Sequence, residues 1–244
     1  MNILYQTAGT LLGITPRQLS VIAVIGCDGK STFIETLALE YSQKKVLITT
    51  TTKMRPIHRE GITLRLTQQE CVSYKAQKGI QCLGVLNEAN GKLEALPSEL
   101  LENIFPQYDI VLLEADGSRG LPCKGWLPDE PVIPHYCTHT VGIATIDALG
   151  KPADSDTVLR LPEFSALTGL QRGDPITFDA LASMVCAQNG MFRNGRGRQS
   201  IFVNKAESDS TLAKEWLHNI KQTYPARFAC LAYGSALTNK WREW

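Results

Sequence analysis

Val21-Ile22-Ala23-Val24-Ile25-Gly26-Cys27-Asp28-Gly29-Lys30-Ser31 is the stretch on which the reading of this chain turns. Five consecutive apolar residues, mostly β-branched, read as a buried strand. Two glycines then bound a tight loop. After it, Phe33, Ile34, Leu37, Ala38 and Tyr41 recur at helical spacing over 31–43. A strand, a glycine-bounded loop and a helix in that order make an anion cradle, because loop N–H groups and the positive end of the helix face one point. The pattern is the short G-x-x-G-K-S, since Val24 stands where the first glycine of G-x-x-x-x-G-K-[ST] would be. Gly26, Cys27, Asp28, Gly29, Lys30, Ser31 and Thr32 are therefore expected around the phosphates of a nucleoside triphosphate, ATP or GTP. Lys30 would reach the β- and γ-phosphates, and the Ser31 hydroxyl would sit on Mg²⁺. As a loop residue, Lys30 is expected to be exposed and dispensable for folding. Cys27 is either a reactive thiol near a helix N-terminus or a small residue that fits the loop.

The rest of the chain reads as alternating strands and helices. Strands are expected at 46–49, 109–114, 138–144, 200–204 and 227–231, and helices at 4–12, 97–105, 162–168, 176–187 and 209–222. That alternation predicts an α/β fold, P-loop NTPase-like, with a mostly parallel sheet covered by helices on both faces. Residues 55–96 break the pattern. An alternating run at 62–66, a helical stretch near 68–78 and two apolar runs joined by Asn90-Gly91 predict a small α+β insertion with a hairpin. The 244 residues fit a single nucleotide-binding domain carrying this insertion.

Composition narrows the partners. A net charge of +1 gives no electrostatic case for nucleic acid or an anionic membrane. No apolar run is long enough to span a bilayer, and Met1-Asn2-Ile3-Leu4-Tyr5-Gln6 lacks the basic start of a signal peptide. Seven scattered cysteines without C-x-x-C suit reduced thiols, so a cytoplasmic location is expected.

The second chemical signal is Tyr108-Asp109-Ile110-Val111-Leu112-Leu113-Glu114-Ala115-Asp116-Gly117-Ser118-Arg119-Gly120. An apolar strand ends in two carboxylates, and parallel α/β sheets bind ligands outside the carboxyl ends of their strands. Glu114 and Asp116 are thus candidate Mg²⁺ ligands, with Asp116 also a candidate catalytic group. Thr51 or Thr52, in the run Thr49 to Lys53, would offer a hydroxyl to the metal or the γ-phosphate. Arg119 would neutralise phosphate charge in a transition state. Phe202-Val203-Asn204-Lys205-Ala206-Glu207 ends a strand in Asn-Lys-x-acid, like the base-reading N-K-x-D of GTP-binding proteins, and makes Asn204 and Lys205 candidate base contacts. His135, Cys137 and His139 alternate. On a strand they would share a face and offer an N/S metal set, or a purely structural cluster.

Together these residues resemble one family. Gly26-Cys27-Asp28-Gly29-Lys30-Ser31, Thr49 to Lys53, Leu113 to Lys124 with its E-A-D-G-S-R-G core, and Glu130-Pro131-Val132-Ile133-Pro134 are similar to the YqeC family. Ile146 to Pro152, Leu167 to Leu170, Gly173 to Thr177 and Asn204-Lys205 extend the likeness over nearly the whole chain. The family loop usually ends in G-G-K-T, so Cys27, Asp28 and Ser31 depart from it, and Asp28 brings a negative charge to the cradle. The resemblance implies a nucleotide protein, a slow NTPase, acting in maturation or cofactor insertion of a selenium-dependent molybdenum hydroxylase. That enzyme or its maturation factors would be the protein partner. The short loop and E-A-D strand end are also similar to Mur-type ATP-dependent ligases. Two alternatives follow: a ligase or kinase on a small metabolite, and a non-hydrolysing module that responds to nucleotide.

Overall fold

The computed structural model describes residues 5–15, 18–73, 75–207 and 210–244. Four sequence expectations fall partly outside them: the leader-free N-terminus, the helix starts at 4 and 209, and Tyr74 within the expected helix 68–78.

In chain order the elements are α1 (Ala8–Leu12), β1 (Ser20–Gly26), α2 (Lys30–Glu40), β2 (Lys45–Thr50), β3 (Lys53–Met54), β4 (Ile62–Arg65), α3 (Gln68–Ser73), β5 (Gly79–Leu83), β6 (Val85–Asn87), β7 (Lys92–Glu94), α4 (Ser98–Ile104), β8 (Ile110–Glu114), β9 (Cys123–Lys124), β10 (His139–Thr145), β11 (Val158–Leu159), α5 (Leu161–Thr168), α6 (Phe178–Cys186), β12 (Arg198–Asn204), α7 (Ser210–Thr223), β13 (Cys230–Ser235) and β14 (Lys240–Glu243). Nine strands form the main sheet in the order β14-β13-β12-β10-β1-β8-β2-β5-β4. All its pairings are parallel except that of the edge strand β14 with β13. No helix among the described residues is long and apolar enough to cross a membrane.

The apolar run Val21 to Ile25 lies in β1, the central strand of this sheet. Every residue of β1 is buried, and its side chains alternate between two cores. Val21, Ala23 and Ile25 face the core that holds Leu101, Leu181, Met184, Trp216 and Leu217 of α4, α6 and α7. Ile22 and Val24 face the core built by Leu11 and Leu12 of α1 and by Phe33, Ile34 and Leu37 of α2. A strand sandwiched in this way needs apolar residues on both faces, which is why the run is continuous rather than alternating. Phe33, in the first turns of α2, meets Phe202 at 5.1 Å and Trp241 at 5.7 Å between ring centroids, both edge to face. Full burial of such a ring is worth about 1.5–3 kcal/mol. It fastens the start of α2, and with it Lys30 and Ser31, to the sheet.

Residues 55–96 divide differently from the expected insertion. β4 and β5 extend the main sheet, with α3 between them, whereas β3, β7 and β6 form a separate antiparallel sheet. The expected strand over 81–86 splits at Gly84. A Cβ there would lie 3.0 Å from Leu93 Cβ, so glycine permits the close crossing at which the chain changes sheet. The Asn90-Gly91 hairpin joins β6 to β7. Three further differences concern element ends. Helix α2 stops at Glu40, the last parallel strand begins at Cys230 rather than 227, and β14 has no counterpart in the sequence reading. β14 is short and charged outside Trp241, so its pattern carries little strand signal.

Candidate functional site

The Gly26–Ser31 loop lies at the carboxyl end of β1, between the ends of β8 and β10. Two glycines make its path possible. Gly26 has φ +100°, and a Cβ there would come within 2.3 Å of Ile143 O. Gly29 has φ +102°, and its Cβ would fall 2.1 Å from Asn204 Nδ2. Both positions are strained for any other residue. Gly29 also heads α2 without a side-chain cap, so the first helical N–H groups are left for an outside acceptor.

Lys30 departs from expectation. It is 4 % exposed rather than a solvated loop lysine. Its Nζ donates to Gly26 O (2.8 Å), Cys27 O (3.2 Å) and Ser118 Oγ (3.1 Å), and lies 3.5 Å from Asp116 Oδ1. Asp116 is fully buried. Both its oxygens accept from the Gly26 N–H at 3.2 Å, and Oδ2 also accepts from Trp126 Nε1 at 2.8 Å. Asp116 therefore braces the loop from behind and does not line the cleft in front.

The network continues away from the loop. Lys124, also fully buried, has its Nζ 3.6 Å from Asp116 and 3.0 Å from Glu130. Arg160 grips Glu130 with both guanidinium arms, Nη2 donating to Oε1 at 2.9 Å and Nη1 to Oε2. Burial pushes the Glu130 carboxyl up, but Arg160 and Lys124 outweigh it and hold the group below the ordinary carboxylate range.

Glu114 and Ser31 meet in the cleft. Ser31 Oγ donates to Glu114 Oε2 at 2.7 Å, and both residues line the cavity. Burial raises the Glu114 carboxyl, opposed by Lys30 and the Ser31 bond. A desolvated carboxylate beside a hydroxyl is a hard-oxygen donor pair, which suits Mg²⁺ held mainly by substrate phosphates. Among the described residues no group of three or more His, Cys, Asp or Glu side chains is placed to hold a metal by itself. Of the run Thr49 to Thr52, Thr52 lines the cavity. Thr51 turns away and donates to Val132 O at 2.6 Å, while Thr50 donates to Glu114 O at 2.8 Å.

The Asn-Lys strand end packs behind the loop. Asn204 Oδ1 accepts from the Ala236 N–H at 2.8 Å. Lys205, with φ +59°, places Nζ 2.5 Å from Asp28 and 3.3 Å from Asp147. The Asp28 bond is the main cause that raises the Lys205 ammonium above its ordinary value. Neither Asn204 nor Lys205 lines the cleft. The charge that Asp28 brings to the cradle thus has a cation against it.

Two other expectations resolve locally. Cys27 is fully buried, and desolvation pushes its thiol up to about 12, so it stays protonated at neutral pH. β10 starts only at His139, with His135 and Cys137 in the turn before it, so the three do not alternate along one strand.

The cleft in front of the loop has a volume of about 810 Å³. Its floor is Cys27 to Thr32 and Glu114. One wall is Gly117 to Gly120, including Arg119, with Leu159 and Arg160. A second wall is Lys53, Met54 and Lys92 of the small sheet, with Arg55 just after β3. Sequence reasoning missed the roles of Lys124, Trp126, Glu130, Arg160 and this second wall. Lys53 and Lys92 are far apart in the chain, and only the pairing of β3 with β7 brings them together.

Comparison with known proteins gives the family of the chain. A family model described as "YqeC protein" matches residues 22–162, more than half of the chain, and the chain belongs to the YqeC family. An Escherichia coli (strain K12) protein described as "Uncharacterized protein YqeC" is 29% identical over 207 residues, covering 81% of each chain. No solved structure matches.

Proposed function

We propose that this chain binds a Mg²⁺–nucleoside triphosphate in the cleft at the carboxyl end of β1 and hydrolyses it slowly. The reading is carried by one observation. A glycine-built loop and an uncapped helix start converge on the same cavity as the Ser31–Glu114 pair, at 2.7 Å. Loop and helix N–H groups attract phosphate, and hard-oxygen donors attract Mg²⁺. When bound, the metal would neutralise phosphate charge between Ser31 and Glu114. Lys30, which donates to loop carbonyls and lines the cleft, would exchange those partners for phosphate oxygens. Arg119, on the cleft wall, is available to the outer phosphate. Service in maturation or cofactor insertion of a selenium-dependent molybdenum hydroxylase is the biological role we attach to this site, on the family resemblance.

A thermal-shift panel of ATP, GTP and CTP, each with and without Mg²⁺, tests the first half. A ligand that binds only the folded state raises the midpoint by linkage. A rise with at least one triphosphate, larger with Mg²⁺, is expected. No rise with any of the three would refute the reading.

A further inference from the structure

Arg119 and Arg160 form a ridge between the triphosphate cleft and a second groove of about 350 Å³. A third arginine, Arg172, also lines that groove. The groove lies beside the short β9–β11 ribbon, and Val158, Leu159 and Leu161 give it an apolar base. Two features mark the arginines as more than surface charge. First, Arg119 and Arg160 hold φ of +54° and +61°. The left-handed region costs an ordinary L-residue about 1 kcal/mol, and neither position is the glycine that would relieve it. Backbone strain of this kind persists where the surroundings fix it and gathers at ligand sites. Second, among the described residues neither Arg119 nor Arg172 has a carboxylate within ion-pairing distance. Arg160, by contrast, is fixed by Glu130. One anchored arginine and two uncommitted ones thus face the same groove, next to the cleft.

We propose that this groove is a second anion subsite for a small acidic molecule, bound through phosphate or carboxylate groups by Arg119 and Arg172 and seated beside the triphosphate. The inference deepens the nucleotide reading and rests on it for what occupies the neighbouring cleft. Guanidinium forks suit both anions, because each offers paired oxygens in a plane or on a face. The apolar base favours a ligand with a carbon skeleton over a bare ion.

The test is isothermal titration of the full chain with two probes, inorganic phosphate and citrate. Each is run with saturating Mg²⁺ and a non-hydrolysable triphosphate, and again without nucleotide. The probes separate a phosphoryl from a polycarboxylate ligand. Variants are Arg119→Gly, which keeps the left-handed backbone, and Arg172→Gln, on an exposed residue. The expected result is 1:1 binding of at least one probe with the cleft occupied, weakened at least tenfold by each substitution. Absence of binding for both probes would overturn the proposal, and so would binding that survives both substitutions. Should the triphosphate itself not bind, the nucleotide reading fails separately. The titrations on the free chain then decide the groove by the same criterion.

Discussion

Lys30 Nζ lies 3.5 Å from Asp116 Oδ1, and both side chains are buried beneath the Gly26–Ser31 loop. Asp116 faces a second buried cation, Lys124, on its other side. One carboxylate therefore holds two ammonium groups, the Gly26 N–H and the Trp126 indole N–H. Its charge fixes the shape of the cradle without touching what the cradle would hold.

Asp116→Asn should consequently act on stability first. The amide keeps the size but leaves two buried ammonium groups without their shared counter-charge. Removing one partner of a buried pair costs about 3–5 kcal/mol. Urea unfolding followed by circular dichroism should show a loss in that range. A change below about 1 kcal/mol would mean that the pair is not a brace.

Glu114→Gln should behave in the opposite way. Burial holds the Glu114 carboxyl above its ordinary value, so the folded chain keeps this proton more tightly than the unfolded chain. Its contribution to stability then falls as pH rises from the ordinary carboxylate value through the raised folded one. The glutamine variant should lack that decline and match or exceed the wild-type midpoint near neutral pH. It should also lose the extra stabilisation that Mg²⁺ gives to a triphosphate complex. Thermal midpoints between about pH 4 and pH 8, with and without Mg²⁺, check both halves. A variant less stable than wild type that retains the Mg²⁺ effect would place the metal elsewhere.

Lys205→Met should weaken triphosphate binding indirectly, by leaving Asp28 uncompensated at the loop. Both groups are partly exposed, so solvent screening keeps the expected loss to about two- to fivefold. Asp28→Asn in the same background should restore most of it. A double-mutant cycle by titration measures this coupling, and additive effects would separate Lys205 from the cradle.

Asn204→Ala should leave any preference among bases unchanged. Asn204 accepts from the Ala236 N–H and abuts Gly29, so its loss strips a buried donor of its partner and loosens the loop. The expected cost is about 1–3 kcal/mol of stability, with ATP, GTP and CTP affinities falling by a common factor. A selective fall for one base would make Asn204 a reader of that base.

Much of this architecture is legible in the chain. Continuous apolar runs such as Val21 to Ile25 and Ile110 to Leu113 announce strands buried on both faces, and Gly26 and Gly29 announce the loop between strand and helix. What is not legible depends on partners distant in sequence. Lys30 reads as a loop lysine because Asp116 and Ser118, some 90 residues away, bury it. Glu114 and Asp116 differ by two positions, yet one faces the cleft and the other the back of the loop. The partners decide this, Gly26 and Trp126 for Asp116 and Ser31 for Glu114, and spacing does not record it. The strand split at Gly84 is similarly hidden, because it depends on the approach of Leu93. Lys205 reads as a base contact until Asp28 and Asp147 are seen beside it.

The proposed function makes the Gly26–Ser31 loop a triphosphate site that needs Mg²⁺ and Lys30. Isothermal titration of Mg²⁺–ATP, Mg²⁺–GTP and Mg²⁺–CTP into wild type and Lys30→Met tests it most directly, with circular dichroism to verify that the variant is folded. At least one triphosphate should bind wild type 1:1. In the folded variant that affinity should fall at least tenfold, as expected for a lost charge-assisted contact of about 1.5–3 kcal/mol. Absence of binding to wild type, or equal affinity in a folded Lys30→Met, would contradict it.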